Sequence, residues 1–257
     1  MKHLAFFASG RGSNFRAIVD HTAMGILRDI QVSLLVTNVP GAPAADFARE
    51  RSIPVSLIEG IFGRRFASKQ ERETARNIFD EKAFETLSKN RIDLIALAGF
   101  MQVLGPRLID AYSLSIMNIH PAKDLSRFGG RGMFGERVHA AVLRAGERES
   151  GCTVHYVDNS VDGGPIILQS SVPVEDGDSP ETLAHRILIQ EHRTYSKAIQ
   201  LHVDERIHVK DGKVSIDWSD NWEDKWNRRQ EAFIQHQTEQ SRNRERLSKI
   251  FQLRRYS

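Results

Sequence analysis

The sequence contains one cysteine, Cys152, among 257 residues, so no disulfide can form within the chain. Such scarcity is typical of proteins from reducing compartments, and we expect this chain to be cytoplasmic. Long apolar runs are also missing, since no stretch approaches the roughly 18 apolar residues that a transmembrane helix needs. The opening residues, MKHLAFFASGRG, contain only a short apolar run and no cleavage-site pattern of a signal peptide. A disulfide-stapled, secreted or membrane-bound protein is therefore not expected.

A strong excess of one charge is absent as well. The formal net charge is +3, from 36 Lys and Arg against 33 Asp and Glu. From Trp222 to the end there are nine Lys and Arg against five Asp and Glu, a net +4, so the rest of the chain sums to −1. Because the basic character belongs to the tail, the body is not expected to bind nucleic acid, and small molecules are its expected partners.

Short apolar runs, by contrast, recur along the first half of the chain, at 4–9, 32–38, 53–58, 93–99 and 115–120. Amphipathic or charged stretches separate them, the clearest at 44–51 and 66–89. Continuous apolar strands alternating with helices are typical of a parallel sheet that is covered on both sides. The sequence therefore predicts an α/β fold, a Rossmann-like open, mostly parallel sheet with helices on both faces.

The pattern changes in the second half. IILQSSVPV (166–174) is predicted to be a strand that leaves the main sheet, and 180–203 a long amphipathic helix. Alternation over 206–218, with Asp211-Gly212 at its centre, predicts a β-hairpin. We therefore expect one domain over 1–218 and a basic, helical C-terminal extension over 219–257.

The apolar residues of the extension form two groups with helical spacing. One group is Trp222 and Trp226, and the other is Leu247, Ile250 and Phe251. Through them the extension could pack on its own chain or on the second subunit of a homodimer. The alternative is that its Lys and Arg side chains bind RNA or an acidic protein, although charges of both signs favour packing.

A glycine turn separates the first strand from the first helix. It consists of Gly10, Arg11, Gly12, Ser13 and Asn14. Free backbone N–H groups and the helix dipole make such a turn a candidate cradle for a single phosphate. Phe15 stands where a dinucleotide fingerprint needs its third glycine, which excludes that motif. The alternative is a tight turn that only begins a helix.

Three polar residues lie where an open parallel sheet binds its ligands. Asn118 and His120 alternate at the end of the strand SIMNIH, so they share one face. An amide and an imidazole at that place can donate to a developing oxyanion. Asp162 precedes Gly163-Gly164-Pro165, a sharp turn that could bring its carboxylate to the histidine. Taken singly, a strand-end histidine and a turn aspartate are more often structural, so the combination carries the prediction.

Five segments together resemble the phosphoribosylglycinamide formyltransferase family over about residues 2–218. They are ASGRGSN at the start, LAGFM (97–101), MNIHPA (117–122), DGGPIILQ (162–169) and QEH (190–192). The resemblance implies transfer of the formyl group of 10-formyltetrahydrofolate to the amine of glycinamide ribonucleotide, in purine biosynthesis and without a metal. It also implies that Asn118, His120 and Asp162 are catalytic. The implied acceptor site is Gly10, Arg11, Gly12, Ser13, Asn14 and Glu191, and the implied folate site is Phe100, Met101, Gln102, Val103, Leu104, Val157, Asp158, Val161 and Gly163.

The chain departs from the usual family pattern in several places. Residues 123–135 form a glycine-rich loop whose Arg127 and Arg131 could reach a phosphate or a folate carboxylate. Gln102 stands where an arginine is common, and the segment 60–76 is longer and more charged than usual. Alternative functions are formylation of an amino-sugar nucleotide, hydrolysis of formyltetrahydrofolate, and a non-enzymatic relative that binds folate or a nucleotide and acts through its basic tail.

Overall fold

The structure, a computed structural model, describes residues 1–235. Seven strands form one sheet, and two more form a separate hairpin. The strands of the sheet are β1 (Lys2–Phe7), β2 (Ile30–Thr37), β3 (Val55–Leu57), β4 (Leu94–Leu97), β5 (Ile116–His120), β6 (Glu149–Tyr156) and β7 (Ile166–Pro173). The hairpin consists of β8 (Ile207–Lys210) and β9 (Lys213–Ile216).

The helices connect these strands. They are α1 (Ser13–Ala23), α2 (Pro43–Glu50), α3 (Lys69–Lys89), α4 (Pro106–Ala111), α5 (Leu125–Phe128), α6 (Glu136–Arg144) and α7 (Pro180–Val203). Residues 222–235 are helical as well. The second apolar group predicted for the extension, Leu247, Ile250 and Phe251, lies outside the described residues. No helix within residues 1–235 combines the length and apolar character that crossing a membrane requires.

The order of the sheet is β3-β2-β1-β4-β5-β6-β7. The pairs from β3 to β5 are parallel, whereas β6 is antiparallel to β5 and to β7. The Rossmann-like prediction is confirmed. The expectation for 166–174 is wrong, because β7 pairs with β6 along its length and closes one edge of the main sheet. Chain reversal after Gly163-Gly164-Pro165 returns the strand to the sheet, which an apolar run alone does not reveal.

Strand β1 shows why the apolar runs are continuous. Leu4 and Phe6 pack in one hydrophobic cluster with residues of α1, α2, α6 and α7. Ala5 and Phe7 pack in the other cluster, with residues of α3 and α4. Since successive side chains of a strand point to opposite faces, both faces must be apolar when helices cover both. This burial fixes the carboxyl ends of β1, β4 and β5 side by side.

Candidate active site

The carboxyl end of β5 carries Asn118 and His120. Parallel pairing sets Leu97 of β4 beside Asn118, and antiparallel pairing sets His155 of β6 opposite it. Asp162 reaches the same place from the loop between β6 and β7, in the left-handed region with a φ of 56°. Gly164 has no room for a Cβ, which would collide with the carbonyl oxygen of Tyr156. The loop therefore passes tightly over the strand end and directs the carboxylate at β5.

Asp162 is the centre of the contacts between these side chains. Its Oδ1 accepts a hydrogen bond from Asn118 Nδ2 at 3.2 Å, and its Oδ2 accepts one from the backbone N–H of Gly130 at 2.9 Å. His120 Nδ1 lies 3.5 Å from Oδ2. The side chains of His120 and Asp162 are only 6% and 12% exposed, so their charges are poorly screened. Sequence reasoning placed all three residues at one site, and the structure brings them into contact.

The imidazole of His120 has a neighbour at each nitrogen. Nε2 lies 2.7 Å from the carbonyl oxygen of Phe128, which can only accept, so Nε2 carries a proton. Burial lowers the pKa of His120, although nearby Asp162 and the Phe128 carbonyl raise it in part. Near pH 7 the ring is therefore neutral, and Nδ1 is the basic nitrogen that faces the carboxylate.

The pKa of Asp162 lies below its usual value. Burial acts in the opposite direction and would raise the pKa of this carboxyl group. The proximity of the His155 and His120 rings and the hydrogen bond from the N–H of Gly130 outweigh it. Asp162 is consequently ionised at neutral pH, ready to stabilise a proton on His120.

His155 contributes to this site more directly than the sequence indicated. Its Nδ1 donates to the carbonyl oxygen of Tyr156 at 2.9 Å, which leaves Nε2 to accept from Asn118 Nδ2 at 3.2 Å. By itself, the strand pattern of TVHYVD (153–158) predicts only that His155 is a structural partner of another group. Only the register of β5 against β6 shows that the partner is Asn118, and an antiparallel register is not readable from TVHYVD.

The glycine turn begins α1 beside these residues. Gly12 has a φ of 61°, and a Cβ there would lie 2.9 Å from that of Ala44. Within residues 1–235 no side chain caps this helix, so the N–H groups of its first turn are available to a ligand. The side-chain amide of Asn14 has another partner, since Nδ2 donates to Glu191 Oε2 of α7 at 2.9 Å. Backbone N–H groups thus form the main part of the cradle.

One cavity of about 1150 Å³ joins the predicted residues. This volume slightly exceeds the roughly 300–1,000 Å³ of usual small-molecule sites, as two substrates together would require. Gly163 alone among the predicted site residues does not line the cavity. Those that do are Gly10, Arg11, Gly12, Ser13, Asn14, Phe100, Met101, Gln102, Val103, Leu104, Asn118, His120, Val157, Asp158, Val161, Asp162 and Glu191.

Two departures in the sequence have structural roles. Gln102 is buried, and its Oε1 accepts the backbone N–H of Ile61 at 2.7 Å, which ties the segment after β3 to the LAGFM segment. Arg127 forms an ion pair with Glu147 at 2.5 Å, so the proposed contact with a substrate does not arise for it here. Arg131 does line the cavity. The loop 123–135 includes the short helix α5, because Asp124 Oδ1 accepts the N–H groups of Ser126 and Arg127.

A row of cations on α3 was missed by the sequence analysis. Lys69, Arg72 and Arg76 have the spacing of one helix face, and all three line the cavity. Arg76 Nε is buried and has no hydrogen-bond partner among the described residues. The sequence shows that segment 60–76 is charged. It does not show which of these residues face the site, because the segment includes a long loop whose path no local pattern specifies.

Glu191 gives the site a pH-dependent stability. Burial raises the pKa of Glu191 from 4.5 to about 7, although the hydrogen bond from Asn14 opposes this. The folded chain thus holds this proton more tightly than the unfolded chain, and the resulting stability is full below about pH 4.5 and lost as pH rises through 7. Because Gln cannot ionise, the variant Glu191→Gln should not lose this stability as the pH rises. We therefore expect its unfolding free energy, relative to that of wild type, to increase by on the order of 3 kcal/mol from pH 5 to pH 8.

Denaturant unfolding at both pH values measures this difference. Glu85→Gln serves as the control, because Glu85 is exposed on α3. Parallel pH dependence of wild type and Glu191→Gln would contradict the assignment of the raised pKa to this carboxyl group.

The sequence of this chain is similar to the sequences of known proteins. Residues 2–199 match the model of the formyl transferase family. The chloroplastic phosphoribosylglycinamide formyltransferase of Arabidopsis thaliana is 38% identical over 215 residues, 84% of this chain and 70% of that protein. The phosphoribosylglycinamide formyltransferase of Bacillus subtilis (strain 168) is 36% identical over 200 residues, 78% of this chain and 94% of that protein.

Solved structures show the same likeness. Glycinamide ribonucleotide transformylase 1 from Symbiobacterium toebii superposes with a TM-score of 0.73 at 32% identity, covering 84% of this chain and 94% of that one. A formyltetrahydrofolate deformylase from Pseudomonas syringae pv. tomato str. DC3000 has a TM-score of 0.71 at 22% identity, covering 84% of this chain and 65% of that one. At that identity the second match shows a common fold and no more.

Proposed function

This chain belongs to the formyl transferase family and is an enzyme of purine biosynthesis that formylates the amine of glycinamide ribonucleotide; we propose that 10-formyltetrahydrofolate is the donor and that Asn118, His120 and Asp162 are the catalytic residues. The observation that carries the proposal is their meeting in the cavity that also contains the start of α1. Gly163 has no Cβ to collide with Ser160 Oγ, which would lie 2.4 Å from it, and we assign this residue to the shape of the loop.

The acceptor is assigned to the end of the cavity at α1. Its phosphate would bind the first-turn N–H groups of Gly12, Ser13 and Asn14, where the helix dipole favours an anion. Glu191, held by Asn14, lies where it can accept hydrogen bonds from ribose hydroxyls. Arg11, which is exposed beside the turn, adds positive charge.

The donor is assigned to the wall formed by Phe100–Leu104 and by Val157, Asp158 and Val161. Most of the side chains of this wall are apolar, which suits a flat heteroaromatic ring. The tie from Gln102 to Ile61 brings segment 60–76 against this wall. We therefore assign the carboxylates of the donor's glutamate to the row Lys69, Arg72 and Arg76.

The transfer begins when the neutral amine attacks the formyl carbon and its carbonyl oxygen becomes an oxyanion. Asn118 would turn one N–H from Asp162 toward that oxygen, since a contact of 3.2 Å is long for a bond to a carboxylate. Removing one fixed hydrogen-bond donor to such an oxygen typically lowers the reaction rate by about 10²–10³-fold.

The proton lost by the amine is assigned to Nδ1 of His120. The imidazolium then lies 3.5 Å from the Asp162 carboxylate and donates to the oxyanion as a second partner. When the oxyanion collapses, the carbon–nitrogen bond to the folate breaks, and the same proton passes to the leaving nitrogen. Burial favours this last step, because a lowered pKa makes the imidazolium a better acid.

Three earlier predictions remain predictions: reaction without a metal, location in the cytoplasm, and a homodimer through the extension. Among residues 1–235 no group of three His, Cys, Asp or Glu side chains is placed to hold a metal ion. The described part of the extension packs on its own chain, as set out below. The non-enzymatic alternative does not explain why Asp162 contacts both Asn118 and His120.

A spectrophotometric assay with 10-formyl-5,8-dideazafolate tests the proposal. We expect rapid transfer to glycinamide ribonucleotide, and slow or no reaction with water or an amino-sugar nucleotide. The KM for the donor should rise with ionic strength, because the row on α3 is exposed for most of its length. Preferred reaction with water would instead assign the hydrolase activity, and preferred reaction with the amino sugar would replace the acceptor.

A further inference from the structure

We propose that residues 218–235, here called the C-terminal brace, position the acceptor site by clamping α1 against α7. This inference rests on the proposed assignment of Asn14 and Glu191 to the acceptor. The brace lies outside the stretch 2–199 that matches the family model. Its contacts are with the two helices that carry those residues.

One half of the brace is fixed to α7 and its C-cap. Trp222 Nε1 donates to Asp204 Oδ2 at 2.5 Å, and Lys197 Nζ pairs with Glu223 Oε1 at 2.5 Å. The rings of Trp222 and Trp226 stack at 5.7 Å and are 5% and 3% exposed. Burial of two indoles supplies most of the attachment, since each removes a large apolar area from water.

The other half of the brace reaches α1. Arg229 Nη1 donates at 3.0 Å to the carbonyl oxygen of Ile26, in the turn that follows the helix. The ring of Phe233 meets that of His21 edge-on at 4.9 Å. Arg229 also lies 5.4 Å from the ring centroid of Trp226, which links the two halves. The brace therefore bridges α7 and the C-terminal end of α1.

His21 connects this bridge to the acceptor site. It lies two turns after Asn14 on the same face of α1. Ser196 of α7 donates its hydroxyl proton to the His192 carbonyl, so His21 Nδ1 donates to Ser196 Oγ, at 2.6 Å. Burial lowers the pKa of His21 to about 4, so the ring is neutral near pH 7 and fits between Ser196 and Phe233.

Two contacts of the same kind therefore hold α1 to α7, one at each end of the shared face. Asn14 and Glu191 form the end at the cavity, and His21 and Ser196 form the end beneath the brace. A helix is stiff over two turns, so loosening His21 tilts the turn that holds the phosphate. The donor wall lies on the segments that follow β4 and β6, and it takes no part in the contact between α1 and α7.

Steady-state kinetics of full-length variants test the brace. We expect Arg229→Met with Phe233→Ala to raise the KM for glycinamide ribonucleotide roughly tenfold, while kcat and the donor KM change less than about twofold. The single variant Phe233→Leu should show little of this increase in KM, because leucine keeps an apolar contact on His21. The matched control is Arg228→Met, which removes an equal charge from the exposed side of the same helix.

Hydrogen exchange of the same variants gives a reading that does not depend on activity. Amides of α1 should lose protection in the double variant, and those of α3 should keep it. An unchanged acceptor KM, or equal loss in acceptor KM, donor KM and kcat, would overturn the inference while leaving the proposed function intact. Wild type that fails to formylate glycinamide ribonucleotide would instead overturn the proposed function, and the acceptor role of the brace with it.

Discussion

We expect His120→Ala to lower kcat for formyl transfer by at least about 10³-fold while the chain remains folded. The side chain has two tasks in the account above, donation to the oxyanion and transfer of the amine proton, each typically worth about 10²–10⁴. Its removal also frees the Phe128 carbonyl, which has a hydrogen bond from Nε2 at 2.7 Å in the wild type. Single-turnover rates with saturating substrates, together with circular dichroism and thermal unfolding, measure the effect.

A second histidine provides the control for this variant. His208 is exposed on the hairpin of β8 and β9, and His208→Ala should retain wild-type kcat. Transfer by His120→Ala within tenfold of wild type would show that another group takes the proton. His139 would be the first to test, since burial lowers its pKa and His120 lies close enough to lower it further.

The Asp162→Asn variant should lose about 10²–10³ in kcat with little change in the KM of either substrate. Asn tolerates the left-handed φ of 56° at this position better than most residues, so the loop should keep its path. What is lost is the negative charge that stabilises the imidazolium.

The same variant should shift the titration of His120. Because Asp162 raises the pKa of that ring against the effect of burial, its removal should lower the pKa further. NMR titration of the imidazole measures the direction. Asp158→Asn, in the same cavity wall, is the control and should leave the His120 pKa in place. A His120 pKa that rises or stays fixed in Asp162→Asn would contradict the pairing.

Much of the fold was readable from the sequence because burial dictates it. Strands covered on both faces must be continuous apolar runs, and those of β1, β2 and β4 were found with boundaries close to the observed ones. The hairpin around Asp211-Gly212 was equally clear from its alternation and turn chemistry. The position of β7 in the sheet could not be read from the sequence, since its pairing with β6 depends on how sharply Gly163-Gly164 turns the chain.

Part of the candidate site could likewise be predicted from the sequence, and part could not. Period two in β5 gives Asn118 and His120 a common face without knowledge of the rest of the fold. The contacts of His155 and of the Gly130 N–H depend on an antiparallel register and on a loop path, which no local pattern specifies. The resemblance to a family supplied Glu191, but only the structure shows that Asn14 holds it.

The central claim is that His120 and Asp162 act as one proton-carrying unit at the end of β5. Comparing kcat of His120→Ala, of Asp162→Asn and of the variant with both changes tests it most directly. If the two side chains act as a unit, the double variant should be no slower than His120→Ala. Losses that multiply, to about 10⁵-fold or more, would mean that the two residues act independently and would contradict the account.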